Sequence, residues 1–269
     1  MNLTNHPLND TDTLYEVPPG GVAILITLYV IVALTAIIGN TMIVTVVIRS
    51  KKLRGVTNYF IANLAAADIM IGALAVPFTF QSALLQKWVL PEFMCGFCPF
   101  IQTLSLNVSI FTLVAVSLDR FRAVVFPLRA RTSHLKTKLC IIPIWIFSFV
   151  LAIPTFIALK TRKHVNGYEL VCDMIGMEIS LWKLYNNTLV ILQYFIPLFV
   201  IVVAYTAMGI KLYNDKSNVV SARSDSSTIQ ENRKKVVKMM IIVIFLFGTC
   251  WFPYQMYNIL SEIYPSINE

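Results

Sequence analysis

The sequence predicts an all-α fold, a bundle of membrane-spanning helices, on three observations. Hydrophobic residues make up 57% of the 269 residues and charged residues only 13%, and the mean hydropathy is +0.70. A soluble chain of this length could not hide so much apolar surface in one or two cores. The apolar residues also fall into six runs, each long enough to cross a hydrocarbon layer of about 30 Å as a helix. Finally, the lysines and arginines lie between these runs in short clusters that alternate in density, as loop charges do. The formal net charge of +8 raises nucleic acid as a partner. The basic residues form no continuous face with interleaved aromatics, however, so nucleic-acid binding is excluded and the lipid bilayer is the implied surroundings.

Residues 1–21 are polar, with neither a basic n-region nor an apolar h-region, and read as an extracellular tail rather than a cleavable signal. Asn2 (NLT) and Asn9 (NDT) are glycosylation sequons, and Asp10, Asp12 and Glu16 stand there without one Lys or Arg. The bundle is placed at 22–262, with spans at Val22 to Ile48, Asn58 to Leu85, Phe93 to Phe126, Leu139 to Leu159, Tyr185 to Tyr213 and Val236 to Leu260. The third span, which opens on Cys95 and closes near the charged pair Asp119 and Arg120, organises the rest. The loops after spans one, three and five, with their flanks, carry 17 of the 22 Lys and Arg residues. By the positive-inside rule these loops are cytosolic and the N-terminus is outside. Residues 214–232 (NDKSNVVSARSDSSTIQEN) read as a Ser-rich, mobile cytoplasmic third loop, and 263–269 as a short extracellular stub.

Of the five cysteines, Cys95 and Cys98 open span three and Cys172 lies in the outer loop from Lys160 to Lys183. A bridge from Cys172 to either would lie on the oxidising side. Closed at Cys95, it would be worth about 4 kcal/mol on the chain-entropy model. Cys140 and Cys250 sit in or beside spans and read as small free hydrophobes. CGFC outside a thioredoxin-like α/β context is no redox motif. Polar residues inside the spans are expensive and so informative. They are Asn40, Asn63, Asp68, Gln102, Ser105, Asn107, Ser109 and Gln193. Asp68 is the most expensive, and is expected to be protonated, hydrogen-bonded by Asn40 or Ser109, or paired with a small cation. Trp145 and Trp251 read as core packing, and Pro77, Pro154, Pro197 and Pro253 as kinks.

In order along the chain come Gly39-Asn40, NLAAAD (Asn63 to Asp68), Cys95, DRF (Asp119, Arg120, Phe121), Trp145, Pro197 with Tyr205, and CWFP (Cys250 to Pro253). This series resembles the rhodopsin-like G-protein-coupled receptors from about residue 25 onward. VTNYFIANLAAAD, SIFTLVAVSLDRFRAVVFPLRART and RKKVVKMMIIVIFLFGTCWFPY are similar to neuropeptide receptors of the tachykinin and neuropeptide Y kind. The tail PYQMYNILSEIYPSINE is similar to arthropod RYamide-type receptors.

The resemblance implies a plasma-membrane receptor that couples a neuropeptide outside to a heterotrimeric G protein inside, and no enzyme. It selects Cys95 over Cys98 as the partner of Cys172. Asp68 with Asn40 and Ser109 would form the pocket for an allosteric sodium ion, the sole metal or cofactor implied. Ile110, Pro197, Phe247, Trp251, Pro253 and Tyr205 would be the residues that rearrange on activation. Asp119, Arg120, Phe121, Pro127 and Leu128 would contact the G protein. Gln102 stands where amine receptors carry an aspartate, so an amine ligand is disfavoured and a C-terminally amidated peptide is favoured. Asp173 and Glu262 would take an arginine of that peptide, with Tyr254, Gln255, Asn258, Phe78 and Gln81 completing the pocket. Two departures stand out. Phe121 replaces the commoner Tyr, and Arg233 stands where relatives carry an acidic partner for Arg120, which implies raised basal activity.

The chain stops at Glu269, before the family's seventh helix and its NPxxY motif. A gene fragment is the expected cause. The alternative is a natural six-span isoform that does not signal and instead pairs with or retains a full-length receptor. A channel or transporter would show a filter loop or broken helices. A membrane enzyme would cluster His, Asp or Glu within spans, whereas His6, His134 and His164 are dispersed. An opsin is disfavoured by the peptide-receptor character of span six.

Overall fold

The computed structural model describes residues 18–50, 55–85, 87–126, 134–163, 170–218, 242, 245–253, 255–257 and 259–260. The helical class expected from composition is what the chain adopts. Among the described residues, five stretches are long and apolar enough to cross a membrane: Pro19–Arg49, Val56–Leu85, Phe93–Val125, Leu139–Ala158 and Ile179–Lys211. The described residues between 242 and 260 are helical as well, within the sixth predicted span.

Helix α1 (Pro19–Arg49) starts with a proline at its first position, where the missing N–H is no loss, and ends on Arg49, which suits the negative end of its dipole. Its 31 residues rise about 46 Å. It is apolar on every side yet buries only Val47. In water that surface would be untenable; in lipid it is the normal state of a peripheral span. The predicted second span is two helices, α2 (Val56–Leu74) and α3 (Val76–Leu85), broken at Ala75. Pro77 explains the break, since it has no N–H for the carbonyl of Ala73 and its ring crowds that turn. Small residues carry the α1–α2 crossing. A Cβ on Gly72 would lie 3.2 Å from Cβ of Ala36, so the two backbones meet without intervening side chains.

Helix α4 (Phe93–Val125) is the axis of the bundle and touches α2, α5 and α7. Its buried residues recur every three or four positions from Cys95 through Val124 and point in more than one direction, as a central helix requires. One apolar cluster joins Leu104 and Val108 of α4 to Ala67 of α2 and Ala152 of α5 (His134–Ala158). A second joins Val124 to Ile201, Tyr205 and Met208 of α7 (Ile196–Asn218). Pro99, Pro143 and Pro154 are accommodated inside their helices.

The structure adds one element and moves two boundaries. In the outer loop β1 (Leu159–Lys163) pairs antiparallel with β2 (Leu170–Met174), Thr161 opposite Cys172. The sheet adds a small β element to the all-α reading. The fifth span starts earlier than Tyr185, as α6 (Ile179–Val190), and runs through a π-helical turn, Ile191–Phe195, into α7. Pro197 is the physical cause of that irregularity, because it leaves the carbonyl of Gln193 without its usual donor. Finally, α7 continues to Asn218, so the first five residues of the segment read as a mobile loop are helical. Nothing in Asn-Asp-Lys-Ser-Asn stops a helix already nucleated by a long span.

Candidate functional site

At one end of the bundle, Cys95 is bonded to Cys172, with their Cα atoms 5.5 Å apart. Cys98, one turn further along α4, is a buried free thiol, and Cys140 and Cys250 are free as well. The bridge ties β2 to the start of α4. The next residue is Gly96, where a Cβ would lie 2.6 Å from the carbonyl oxygen of Phe156 and 3.1 Å from that of Leu159, so α4 passes close to the end of α5 and the start of β1. Trp88, buried in the loop before α4, donates its backbone N–H to Leu170 of β2 at 2.6 Å and its indole N–H to the carbonyl of Pro91. The hairpin is therefore held covalently at its middle and by a hydrogen bond at its edge. The sequence reading did not single out Trp88; a tryptophan between two spans was the available signal.

Asp173, expected to await a ligand arginine, has an internal partner. Its carboxylate accepts from Arg162 Nε at 2.6 Å and from the Met174 N–H at 2.7 Å. The Arg162 hydrogen bond foremost, and then the Met174 amide, hold its carboxyl below the usual carboxylate range. A carboxyl depressed on folding stabilises the hairpin above the unfolded value near 3.8, and that contribution is lost as pH falls through the lowered value. Both side chains are 43% exposed, and an exposed pair is worth about 0.2–1 kcal/mol. Arg162→Ala is therefore expected to raise hairpin opening at pH 7 by no more than about fivefold in amide exchange. Its difference from the parent chain should shrink as the pH is lowered through the depressed value of the Asp173 carboxyl. A difference that persists below it would assign the effect to something other than the ion pair.

The middle of the bundle is held by buried polar groups. Asn63 of α2 donates to Thr112 Oγ1 of α4 at 2.8 Å and accepts from Trp145 Nε1 of α5 at 2.8 Å. Ser105 donates to the carbonyl of Ala67. Trp145, read as packing alone, is thus also a hydrogen-bond donor in a three-helix junction. Asp68 is half-buried, and among the described residues no hydrogen bond reaches its carboxylate. The Asn40 amide does not turn to it but donates to Ala36 on its own helix at 2.9 Å, and Ser109 is half-buried on α4. The three residues carry the oxygen donors a sodium ion needs; of the alternatives open for Asp68, a bond from Asn40 is not formed among the described residues.

Deeper in α4, Ile110 is buried, as is Pro197 of α7. Phe247 of the final helical stretch stacks in a chain between Tyr194 and Trp251, ring centroids 6.3 Å apart on each side. The Tyr194 hydroxyl donates to the carbonyl of Gly248 at 3.2 Å. Gln193 in the π-helical turn donates to Asn107 Oδ1 at 2.9 Å. Gln255 is buried, whereas Gln102 is exposed and Pro253 lies at an exposed position. Phe78 and Gln81 are half-buried on α3. From the sequence both Asn107 and Gln193 read as costly residues within spans, and 86 positions apart nothing there pairs them.

At the opposite end from the hairpin, Arg120 Nη2 meets Asp119 Oδ2 at 3.2 Å, and Arg120 Nε is buried without a hydrogen bond among the described residues. Phe121 packs on the Tyr205 cluster and meets Phe126 edge-on at 6.2 Å. Pro127, Leu128, Tyr254, Asn258, Glu262, Arg233, Asn2 and Asn9 lie outside the described residues.

A bundle with a disulfide-tethered hairpin at one end and a charge pair at the other invites comparison with known chains. The profile of the 7 transmembrane receptor (rhodopsin family) matches residues 39–269. Tachykinin-like peptides receptor 99D of Drosophila melanogaster is 36% identical over 239 residues, covering 86% of this chain and 46% of that protein. The RYamide receptor of Tribolium castaneum is 33% identical over 249 residues, 87% of this chain and 67% of that one. The Substance-P receptor of Canis lupus familiaris is 33% identical over 241 residues, 89% and 59%. The chain thus spans from about half to two thirds of the length of these relatives. The match over most of the sequence, with every motif on its own helix, places this chain in the rhodopsin family of 7 transmembrane receptors.

Proposed function

We propose that the chain is a neuropeptide receptor of the plasma membrane that couples an extracellular, C-terminally amidated, Arg-containing peptide to a heterotrimeric G protein. The observation that carries this reading is the separation of two elements along α4, the tethered hairpin at Cys95 and the partly buried Asp119–Arg120 pair near Val125. One helix spans both, so a rearrangement at one end has a rigid route to the other. Similarity to receptors named for tachykinin-like peptides and RYamide supports a peptide ligand.

In this reading residues 1–21 and the hairpin face outward, residues 214–232 face the cytosol and 263–269 outward again, and Asn2 and Asn9 carry glycans. Asp68, Asn40 and Ser109 hold a sodium ion at rest. Ile110, Pro197, Phe247, Trp251, Pro253 and Tyr205 repack on activation, and Arg120 leaves Asp119 to meet the G protein beside Phe121, Pro127 and Leu128. Gln102, Phe78, Gln81, Tyr254, Gln255 and Asn258 line the pocket. Glu262 takes the ligand arginine, while Asp173 could do so only by exchanging Arg162 for it.

A panel of amidated peptides of the tachykinin and RYamide types, read by calcium and cyclic AMP in cells expressing the full receptor chain, tests the proposal. At least one is expected to signal at submicromolar concentration, and Glu262→Ala to weaken it by about tenfold or more, the worth of a charge-assisted pair. Silence across the panel would sink the peptide reading, and unchanged potency in the variant would remove Glu262 from the site.

A further inference from the structure

Two buried amide atoms have no partner among the described residues, Nδ2 of Asn107 and Oε1 of Gln255. Asn107 is 0% exposed and Gln255 4%. An uncompensated buried polar atom is costly, and folded chains keep such atoms chiefly where something else completes them. Here one atom is a donor and the other an acceptor.

Their surroundings are polar and fixed. Asn107 Oδ1 is occupied by Gln193 Nε2 at 2.9 Å, which orients the amide and leaves Nδ2 pointing elsewhere. Gln193 sits in the π-helical turn Ile191–Phe195, and single π turns of this kind are frequent at functional sites. The neighbouring Tyr194 reaches Gly248 on the final helical stretch at 3.2 Å. Gln255 follows Gly248 by two turns and so falls on the same face, the one turned to the π-helical turn. It also follows Trp251 by one turn, in the layer next to the Tyr194, Phe247 and Trp251 rings.

We propose that Asn107 and Gln255 are the two halves of a recognition site for a primary carboxamide. Its carbonyl oxygen accepts from Asn107 Nδ2, and its NH2 donates to Gln255 Oε1. The proposal rests on the amidated-peptide reading and deepens it by naming the residues that tell an amide from an acid. A carboxylate would set an acceptor against Gln255 Oε1 and leave a buried lone pair facing a charge, which is the kind of mismatch that polar sites reject strongly.

The test uses the full receptor chain in lipid nanodiscs with two probes, the dipeptide Arg-Tyr-NH2 and its free acid, read by the shift in thermal midpoint. The amide is expected to stabilise the receptor at a concentration at least about tenfold lower than the acid. Gln255→Met, and the double variant Asn107→Leu/Gln193→Met, which removes both partners of the buried bond together, should each bring that ratio to about one. The unliganded midpoint should hold or rise, because each change deletes an uncompensated atom. A ratio unaltered in both variants, as a bound water alone would give, overturns the proposal, as does a fallen midpoint with the ratio intact. Equal stabilisation of the parent receptor by amide and acid overturns the carboxamide site and leaves the peptide reading standing. Silence in the signalling panel removes both.

Discussion

Replacing Cys172 by serine is expected to destabilise the folded bundle by about 4 kcal/mol and to leave little of it at the cell surface. The bridge joins residues 77 positions apart, and a loop that long loses much of its unfolded-state freedom when closed. About 4 kcal/mol is close to a thousandfold in a folding equilibrium, a large part of the 5–15 kcal/mol typical of a whole domain. The loss is local in structure as well, since Cys95 is fully buried and would be left as an unpaired thiol beneath an untethered hairpin. Surface biotinylation and a thermal midpoint in detergent would measure both effects. Cys98→Ala is the control and should change either by far less, because Cys98 is free and the change loses only the packing of one buried sulfur. A Cys172→Ser receptor with an unchanged midpoint would show that the hairpin contributes nothing to the fold.

The second large effect is expected from Asn63→Leu, at about 2–4 kcal/mol. Leucine keeps the branched shape of asparagine but is larger, so some overpacking adds to the polar loss at this buried position. Each interhelical hydrogen bond in a membrane is worth about 0.6 kcal/mol on average and up to about 1.7. The substitution removes the bonds to Thr112 and Trp145 and leaves the Trp145 indole N–H without its acceptor, which adds about 1–3 kcal/mol. Thr112 is less affected, since its hydroxyl already donates to the Val108 carbonyl. Trp145→Phe deletes the donor itself. On that background Asn63→Leu should cost at least about 1 kcal/mol less, a coupling that a double-mutant cycle in a thermal or denaturant assay would show. Additive effects would refute the junction.

The spans were legible because length and hydropathy suffice for them, and the third span runs as expected, Phe93–Val125 against a reading that ended at Phe126. Pro77 and Pro197 were legible as trouble, though not as a break at Ala75 or a π turn at Ile191–Phe195, since a missing N–H does not say how a helix will relax. The hairpin was not legible at all. LKTRK and LVCDM pair because Cys172 is bonded to Cys95 and Trp88 caps Leu170, contacts made from outside the segment. Asn63 and Trp145 stand 82 positions apart, so each could be flagged as expensive or bulky but neither as the other's partner. The internal partner of Asp173 was hidden for the same reason, Arg162 lying across a strand pair that the sequence did not announce.

The Asp119–Arg120 contact joins neighbours in the chain. A clasp between helices would break whenever the helices part, and its strength would be added to the barrier for moving them. This one joins two groups on a single turn of α4. The arginine can therefore be rotated out and returned by a change in its own side-chain torsions. Whatever draws it away competes with the Asp119 carboxylate on the same helix.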